Sequence, residues 1–428
     1  MNRLKTLIIN LCRLLVSLTL ILSGFVKAID PLGTQYKIED YMAALSLEGW
    51  LPSWLTLALS VALPALEFSL GIFLLFAIHR RTVTRLVLVL MTIMTLITLW
   101  LWIANPISDC GCFGDAVNLT NGETLAKNVV LLAASVVLCL SPLRMVRFIS
   151  KTNQWIVINY TWLFIILLSV YCLYDLPLFD FRPYSVGSDI RQGMEIPEGA
   201  EAPVFDTTFI LEKDGERREF TLADYPDSTW TFIDSKTVVV KEGYVPPIHD
   251  FSIQRFDDGE DITDEVLSSP GYTFLLISPR LEDANDYVFG EIDQIYEYCQ
   301  DHGYDFYCLT SSDEKGIERW KDLTGAEYPF CTTDATTLKT IIRSNPGLLL
   351  LRGGVVVGKW SHNFLPTSDA LTDRLEVLPL GRVPKDTTWL KISFIFMLYV
   401  LPLLTLTLAD RLWAWTRWLK RKRKREQA

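Results

Sequence analysis

Six stretches of this chain are apolar and long enough to cross a hydrocarbon layer, near residues 6–27, 53–78, 86–104, 125–143, 155–175 and 389–409. Each approaches or exceeds the run of about 20 residues that a transmembrane helix needs. A segment in lipid must satisfy its own backbone hydrogen bonds, so each is expected to be helical. Everything else in the chain is then suspended from six helices.

The cations give the expected orientation, because cytoplasmic loops retain Lys and Arg. Arg3, Lys5 and Arg13 flank span 1; Arg80, Arg81 and Arg85 separate spans 2 and 3; Arg144, Arg147 and Lys151 separate spans 4 and 5; the run Lys420 to Arg425 follows span 6. All four clusters fall on one side, which places both termini in the cytoplasm. Loops 28–52 and 105–123 and the acidic stretch 176–388 fall on the other. Trp413, Trp415 and Trp418 read as an interfacial belt. Residues 1–28 also fit a cleaved signal peptide loosely, through Val26-Lys27-Ala28, which leaves the remaining topology unchanged. The net charge of −10 argues against nucleic acid, whose phosphates select basic surfaces. The basic tail reads as an anchor to lipid headgroups.

The expected organisation is a four-helix transmembrane bundle over 1–150, a fifth span over 151–176, a linker with accessory strands over 177–244, an α/β domain over 245–368, a sixth span over 389–410 and a basic tail over 411–428. The fold class is therefore a multi-domain membrane protein, an all-α bundle plus an extracytoplasmic α/β domain. Residues 176–200 are dense in Pro, Gly and charge and read as a linker. In the α/β domain, Tyr272 to Ser278 and Asp305 to Thr310 are apolar runs of strand length. Helical patterns cover 284–301, 313–324 and 335–343, and Gly347 to Leu351 with Val355 to Trp360 reads as a hairpin. Asn345-Pro346 stands before that hairpin, where a tight turn suits a proline.

The sharpest chemical motif is Asp109-Cys110-Gly111-Cys112-Phe113-Gly114-Asp115, between spans 3 and 4 on the external side. A single glycine between two thiols permits a tight ring that side chains would forbid, and strained, exposed disulfides are the more oxidising ones. A redox pair, a structural staple and a soft-metal thiolate site all remain open on these residues, although no histidine lies in the loop. Glu67 is the second informative residue, about 20 Å into span 2 at 1.5 Å per residue. An intramembrane carboxylate is costly and usually faces the bundle interior. Its expected partners are Ser23, Lys27 or the Thr92, Thr95, Thr98 stripe of span 3. Lys27 with Asp30-Pro31 otherwise reads as a helix terminus, Cys172 as packing, and Cys308 and Cys331 as buried thiols.

Through Ser23 to Pro31, Glu67 and Cys110-Gly111-Cys112-Phe113-Gly114, the first 150 residues resemble the DoxX and MauE families of four-helix membrane proteins. Residues from about 245 to 365 resemble a thioredoxin-like domain of the TlpA type, with Pro346 at the cis-proline position. One departure matters: where such domains carry Cys-x-x-Cys, this chain reads Ser278-Pro279-Arg280-Leu281-Glu282. The whole looks like a DoxX family protein of the Bacteroidetes type.

The resemblance implies a bacterial inner-membrane protein with a periplasmic domain. It implies redox or thiol-disulfide maturation, with Cys110 and Cys112 as the exchanging pair and Glu67 handling a proton or binding a quinone. The thioredoxin-like domain would dock an exported protein client, with Lys27 and Pro346 as binding positions. No metal is expected. The competing expectations are a non-catalytic membrane scaffold and an accessory subunit of a transporter or respiratory complex.

Overall fold

The computed structural model describes residues 2–107, 110–201, 204–213, 216–221, 231–241 and 243–426, so Asp109 at the head of the cysteine motif lies outside the described residues. The membrane part begins with α1 (Asn2–Ile29), α2 (Pro31–Ala44), α3 (Ser53–Leu75), α4 (Arg80–Ala104), α5 (Asn121–Leu140) and α6 (Gln154–Tyr174). Among the described residues six helices are long and apolar enough to cross a membrane, the sixth being the C-terminal stretch Thr388–Lys420. Leu4, Leu7, Leu11, Leu18 and Leu22 line the outer face of α1 and stay exposed, as lipid-facing residues do.

Helices α1 and α3 approach most closely where side chains are absent. A Cβ on Gly24 would lie 2.4 Å from the backbone nitrogen of Phe68, and one on Gly71 would lie 2.9 Å from that of Ile21. Small residues let backbones meet in lipid, where van der Waals packing replaces the hydrophobic drive. This contact sets the level at which α1 side chains meet α3 side chains.

Loop 28–52 contains a helix that the sequence reading did not foresee. Asp30 caps α2 by accepting a hydrogen bond from the Gly33 amide at 2.9 Å, and Pro31 occupies its first turn. Without a long apolar stripe, α2 has no periodic signature.

The segment expected as a linker is docked rather than free. It carries α7 (Ile190–Met194), and the Gly187 and Ile190 amides donate to Val356 and Gly354. Tyr184 and Ile190 are buried against the soluble domain. Below them Asp180 bridges Arg182 at 2.8 Å and Lys359 at 2.7 Å. Pro and Gly density signalled irregular backbone correctly; it says nothing about whether such backbone is packed.

Next come β1 (Val204–Lys213), β2 (Glu216–Thr221) and β3 (Thr231–Lys241), an antiparallel sheet in the order β2-β1-β3. The soluble core follows, with β4 (Gln254–Arg255), α8 (Thr263–Ser268), β5 (Tyr272–Ser278), α9 (Phe289–His302), β6 (Asp305–Thr310), α10 (Glu314–Thr324), β7 (Phe330–Thr332), α11 (Ala335–Ile341), β8 (Gly347–Arg352) and β9 (Val355–Ser361). Its sheet runs β4-β7-β6-β5-β8-β9. Strands β5, β6 and β7 are parallel; β8 returns antiparallel beside β5, pairing Leu276 with Leu348.

All seven residues of β5 are buried. Alternation sends Phe274 and Leu276 to the α9 and α10 face, and Leu275 and Ile277 to the α11 face. Two parallel strands joined by a helix, then an antiparallel hairpin beside the first, make this domain thioredoxin-like. Asn345-Pro346 before β8 is cis. Cys308 and Cys331 lie on neighbouring strands as free buried thiols, and burial holds the Cys331 thiol up at about 12.

The last span is α12 (Thr388–Ile395), a π-helical turn Phe396–Val400 and α13 (Leu401–Glu426). Tyr399 in that turn stacks on Phe164 of α6, with centroids 4.2 Å apart. At the opposite end Asp410 accepts hydrogen bonds from the Ser150 amide and hydroxyl at 2.7 Å each, fixing the helix to the connection before α6.

Candidate functional site

Cys110 and Cys112 stand at the turn that leads back into α5. Gly111 sits at φ +62°, in the left-handed region that a residue with a side chain rarely adopts, and this turns both thiols to the same side. Their Sγ atoms are 3.0 Å apart, and both cysteines are free thiols. The loop is pinned at its flanks. Thr120 and Glu123 form a capping box at the start of α5, and Asn121 donates to Ile107 O at 2.8 Å.

The pair dips toward the bundle. Ser23 of α1 donates to Cys112 O at 2.6 Å, and Tyr41 of α2 donates to Cys110 O at 2.7 Å with its hydroxyl 3.5 Å from Cys110 Sγ. Cys110 is 9% exposed, whereas Cys112 is partly open. The hydrogen bond from Cys112 holds the Cys110 thiol down at about 6, against burial; Tyr41, Lys27 and Lys127 pull in the same direction. Cys112 is pushed up, first by that shared hydrogen bond and then by burial. One thiolate and one thiol is the expected reduced state, because two adjacent sulfur anions would repel.

Glu67 is not alone in lipid. Lys27 Nζ lies 2.7 Å from Glu67 Oε2. The threonine stripe of α4 is turned elsewhere: Thr95 and Thr98 donate to carbonyls of their own helix, and Thr98 accepts from Asn128. Among the three partners expected for Glu67, the structure selects Lys27, because Gly24 brings that turn of α1 against α3.

Both pairs line one cavity of about 650 Å³. Its membrane wall is Leu63, Leu66, Leu90, Met94 and Ile97; its outer wall is α2 with Thr336, Lys339, Thr340 and Arg343 of the soluble domain. Leu63, Leu66 and Ile97 in that wall remain exposed. A smaller void of about 20 Å³, large enough for one water, lies between Glu67, Lys27, Cys112, Lys127 and Asn128.

Arg343 closes the outer wall. Its Nε lies 3.0 Å from Asp30 Oδ2, its Nη2 lies 3.3 Å from Asp115 Oδ2, and its guanidinium covers the Tyr36 ring at 5.3 Å. Burial depresses its basicity, while Asp30 and Asp115 more than restore it. Pro346, expected as a binding position, is itself buried. Ser278, where a Cys-x-x-Cys turn would begin, donates to Asn345 Oδ1 at 2.7 Å, and Asn345 donates to Arg280 O at 2.9 Å. Among the described residues no group of three His, Cys, Asp or Glu side chains is placed to hold a metal.

Sequence reasoning missed Tyr41 and Arg343 as parts of this site; it had Asp115 within the cysteine motif and Asp30 as a helix terminus, but gave neither a partner. Arg343 carried a weak signal, as a cation two residues before Asn345-Pro346.

The fold and the site define a multi-pass membrane protein with a soluble thioredoxin-like domain. Residues 5–141 match the family described as methylamine utilisation protein MauE, so the first four spans are a MauE/DoxX-like part of a chain that also carries that soluble domain. Residues 205–242 match a domain of unknown function, DUF8463. No curated protein matches the chain.

Solved structures with some likeness include an uncharacterized conserved protein from Geobacillus kaustophilus, 16% identical over 32% of this chain and 82% of that one, with TM-score 0.24. A putative protein disulfide isomerase from Bacteroides thetaiotaomicron is 16% identical over 27% and 76%, with TM-score 0.22. Peroxidoxin BcpB from Mycobacterium tuberculosis is 14% identical over 29% and 88%, with TM-score 0.23.

Proposed function

We propose that this is a membrane thiol-disulfide protein whose exchanging pair is Cys110 and Cys112, serving an exported protein client. The observation that carries the reading is the 3.0 Å approach of two thiols, one of them held down to about 6, in the wall of a cavity that also contains a buried Lys27–Glu67 pair. A structural pair needs neither the cavity nor the charges. The MauE-like membrane domain fits a redox or disulfide-related role. The basic loops favour placing the site on the outer face of an inner membrane.

A client thiolate attacks Cys112 Sγ of the oxidised pair; a client–Cys112 bond forms, the Cys110–Cys112 bond breaks, and the electron pair leaves on Cys110. The lower-pKa thiol is the better leaving group, and that assigns Cys112 as the sulfur attacked. A second client thiolate then attacks the client sulfur and releases Cys112. The client has lost two electrons and two protons, and the pair has gained them.

Restoring the disulfide requires a two-electron, two-proton acceptor, and a quinone supplies that chemistry. The residues fit one: the membrane wall offers Leu63, Leu66 and Met94 to an apolar body, and Lys27 and Glu67 offer polar contacts at its floor. Of the two protons the acceptor needs, one comes from the Cys112 thiol, which Glu67, beside the water-sized void that reaches Cys112, would relay, and the other, Cys110 being a thiolate, comes from water.

The test is a non-reducing gel of single and double variants in native membranes. Cys110→Ser should accumulate a dithiothreitol-sensitive adduct, formed when the Cys112 thiolate attacks a client disulfide and one client sulfur leaves as a thiolate, because no Cys110 thiolate remains to close back on Cys112 and expel the client. Cys112→Ser should accumulate little, and the double variant none. If neither single variant forms an adduct and both retain function in cells, the loop is a staple and the scaffold reading replaces this one.

A further inference from the structure

The dithiol and the face of the thioredoxin-like domain beside Pro346 are held against each other within the chain. Arg343, 8% exposed at its side chain, lies in the turn that precedes Asn345-Pro346 and reaches across to Asp30 and Asp115. Asp115 is three residues from Cys112, and Asp30 starts the helix whose Tyr41 bonds Cys110. The same Arg343 therefore grips both the loop that carries the thiols and the helix that covers them. Lys339 adds a second cation over Tyr36, at 4.8 Å.

Exchange with a protein needs a client sulfur to reach Cys112 Sγ with its polypeptide attached. The outer wall, made of α2 and of Thr336, Lys339, Thr340 and Arg343, stands in that path. A small molecule fits the cavity of about 650 Å³ as it stands; a folded client does not. The face of the domain that a client would approach is already in use.

We infer that the thioredoxin-like domain is a releasable cap on the Cys110–Cys112 pair, with its Pro346-side surface docked on the chain's own α2 and cysteine loop through the Arg343–Asp30–Asp115 cluster. Capped, the pair meets only small molecules; uncapped, it meets the client. The clasp suits this purpose. It is a compact ionic cluster, joined by hydrogen bonds from Ser361 to Asp175 and from Asn363 to the Tyr174 carbonyl at the end of α6, and breaking it leaves charges that water solvates once the domain lifts. This rests on the proposed exchange function for its purpose but not for its geometry.

The experiment measures access, independently of turnover. In native membranes holding the full chain, reduced Cys110 and Cys112 are alkylated with N-ethylmaleimide or with a maleimide carrying a bulky polyethylene glycol chain, and the peptides are read by mass spectrometry. In the unaltered chain the small reagent should label the pair at least tenfold faster than the bulky one. Arg343→Ala should raise the bulky rate about tenfold with little change in the small one. Asp30→Asn, which keeps the cap on α2 but removes the charge, should do so more weakly. Arg343→Lys, which keeps a cation between Asp30 and Asp115, should retain most of the discrimination, which assigns the loss in Arg343→Ala to the missing charge rather than to a misfolded domain.

Equal labelling by both reagents in the unaltered chain, or bulky rates that ignore Arg343→Ala and Asp30→Asn, would overturn the cap. If these rates behave as expected while Cys110→Ser traps no client, the cap stands and the exchange function falls.

Discussion

Lys27 Nζ of α1 stands 2.7 Å from Glu67 Oε2 of α3, with only 13% and 10% of the two side chains exposed. That contact changes what an intramembrane carboxylate means here. An isolated glutamate in a bundle would be replaceable by leucine without loss. A paired one is not, because its removal strands an ammonium in a desolvated site.

Glu67→Leu and Lys27→Met should therefore each destabilise the protein by about 3–5 kcal/mol, and the double variant should recover most of that loss. Thermal unfolding in detergent measures it. A Glu67→Leu protein as stable as the unaltered chain would show that the two groups do not interact. Glu67→Gln keeps a hydrogen-bonding partner for Lys27 but no titratable proton, so it should remain folded while losing exchange.

The Cys110 thiol, held at about 6 by the Cys112 hydrogen bond, is a thiolate at neutral pH. Iodoacetamide should alkylate the reduced protein at Cys110 at a nearly constant rate from pH 8 to 7, falling to half near pH 6. Cys112→Ser should move that midpoint upward, since it weakens the largest cause. Tyr41→Phe should move it upward by less. An unchanged midpoint in Cys112→Ser would refute the shared proton.

Asp180 is held down at about 2 by Lys359 and Arg182, which outweigh its burial. A carboxylate with a depressed folded pKa contributes stability that is present above its unfolded value and lost as pH falls through its folded one. Segment 176–200 should stay docked down to about pH 4 and loosen between there and about pH 2. Asp180→Asn should loosen it at pH 7. Hydrogen exchange of the Gly187 and Ile190 amides reports both effects.

Gly24 tests the helix contact. A Cβ there would sit 2.4 Å from Phe68 N and 2.8 Å from Pro64 O, and backbone does not yield as a side chain tip does. Gly24→Ala should cost about 1–3 kcal/mol by overpacking, and should also slow exchange by parting Lys27 from Glu67. Gly290→Ala in α9, where nothing lies within 4 Å, is the control and should be neutral or better by detergent melting.

The sequence by itself determined the spans, because twenty apolar residues in a row have one cheap conformation in lipid. It determined the soluble sheet for a similar reason: the buried runs from Tyr272 to Ser278 and from Gly347 to Leu351 are too apolar to lie anywhere but inside. It also singled out Cys110, Cys112 and Glu67, because thiols one glycine apart and a carboxylate within a span are chemically conspicuous wherever they fold.

Only the tertiary structure decided what those residues touch. Periodicity is local, while Lys27 and Glu67 are 40 positions apart and Arg343 and Asp30 are 313 apart. Polar helix α2 and the docked segment 176–200 were illegible for the same reason: neither carries a periodic apolar face, and they are held by scattered contacts such as Tyr41 to Cys110, Lys359 to Asp180 and the isolated burial of Tyr184 and Ile190. Which cation meets which carboxylate depends on where Gly24 lets two helices close, and that is a property of the assembled bundle.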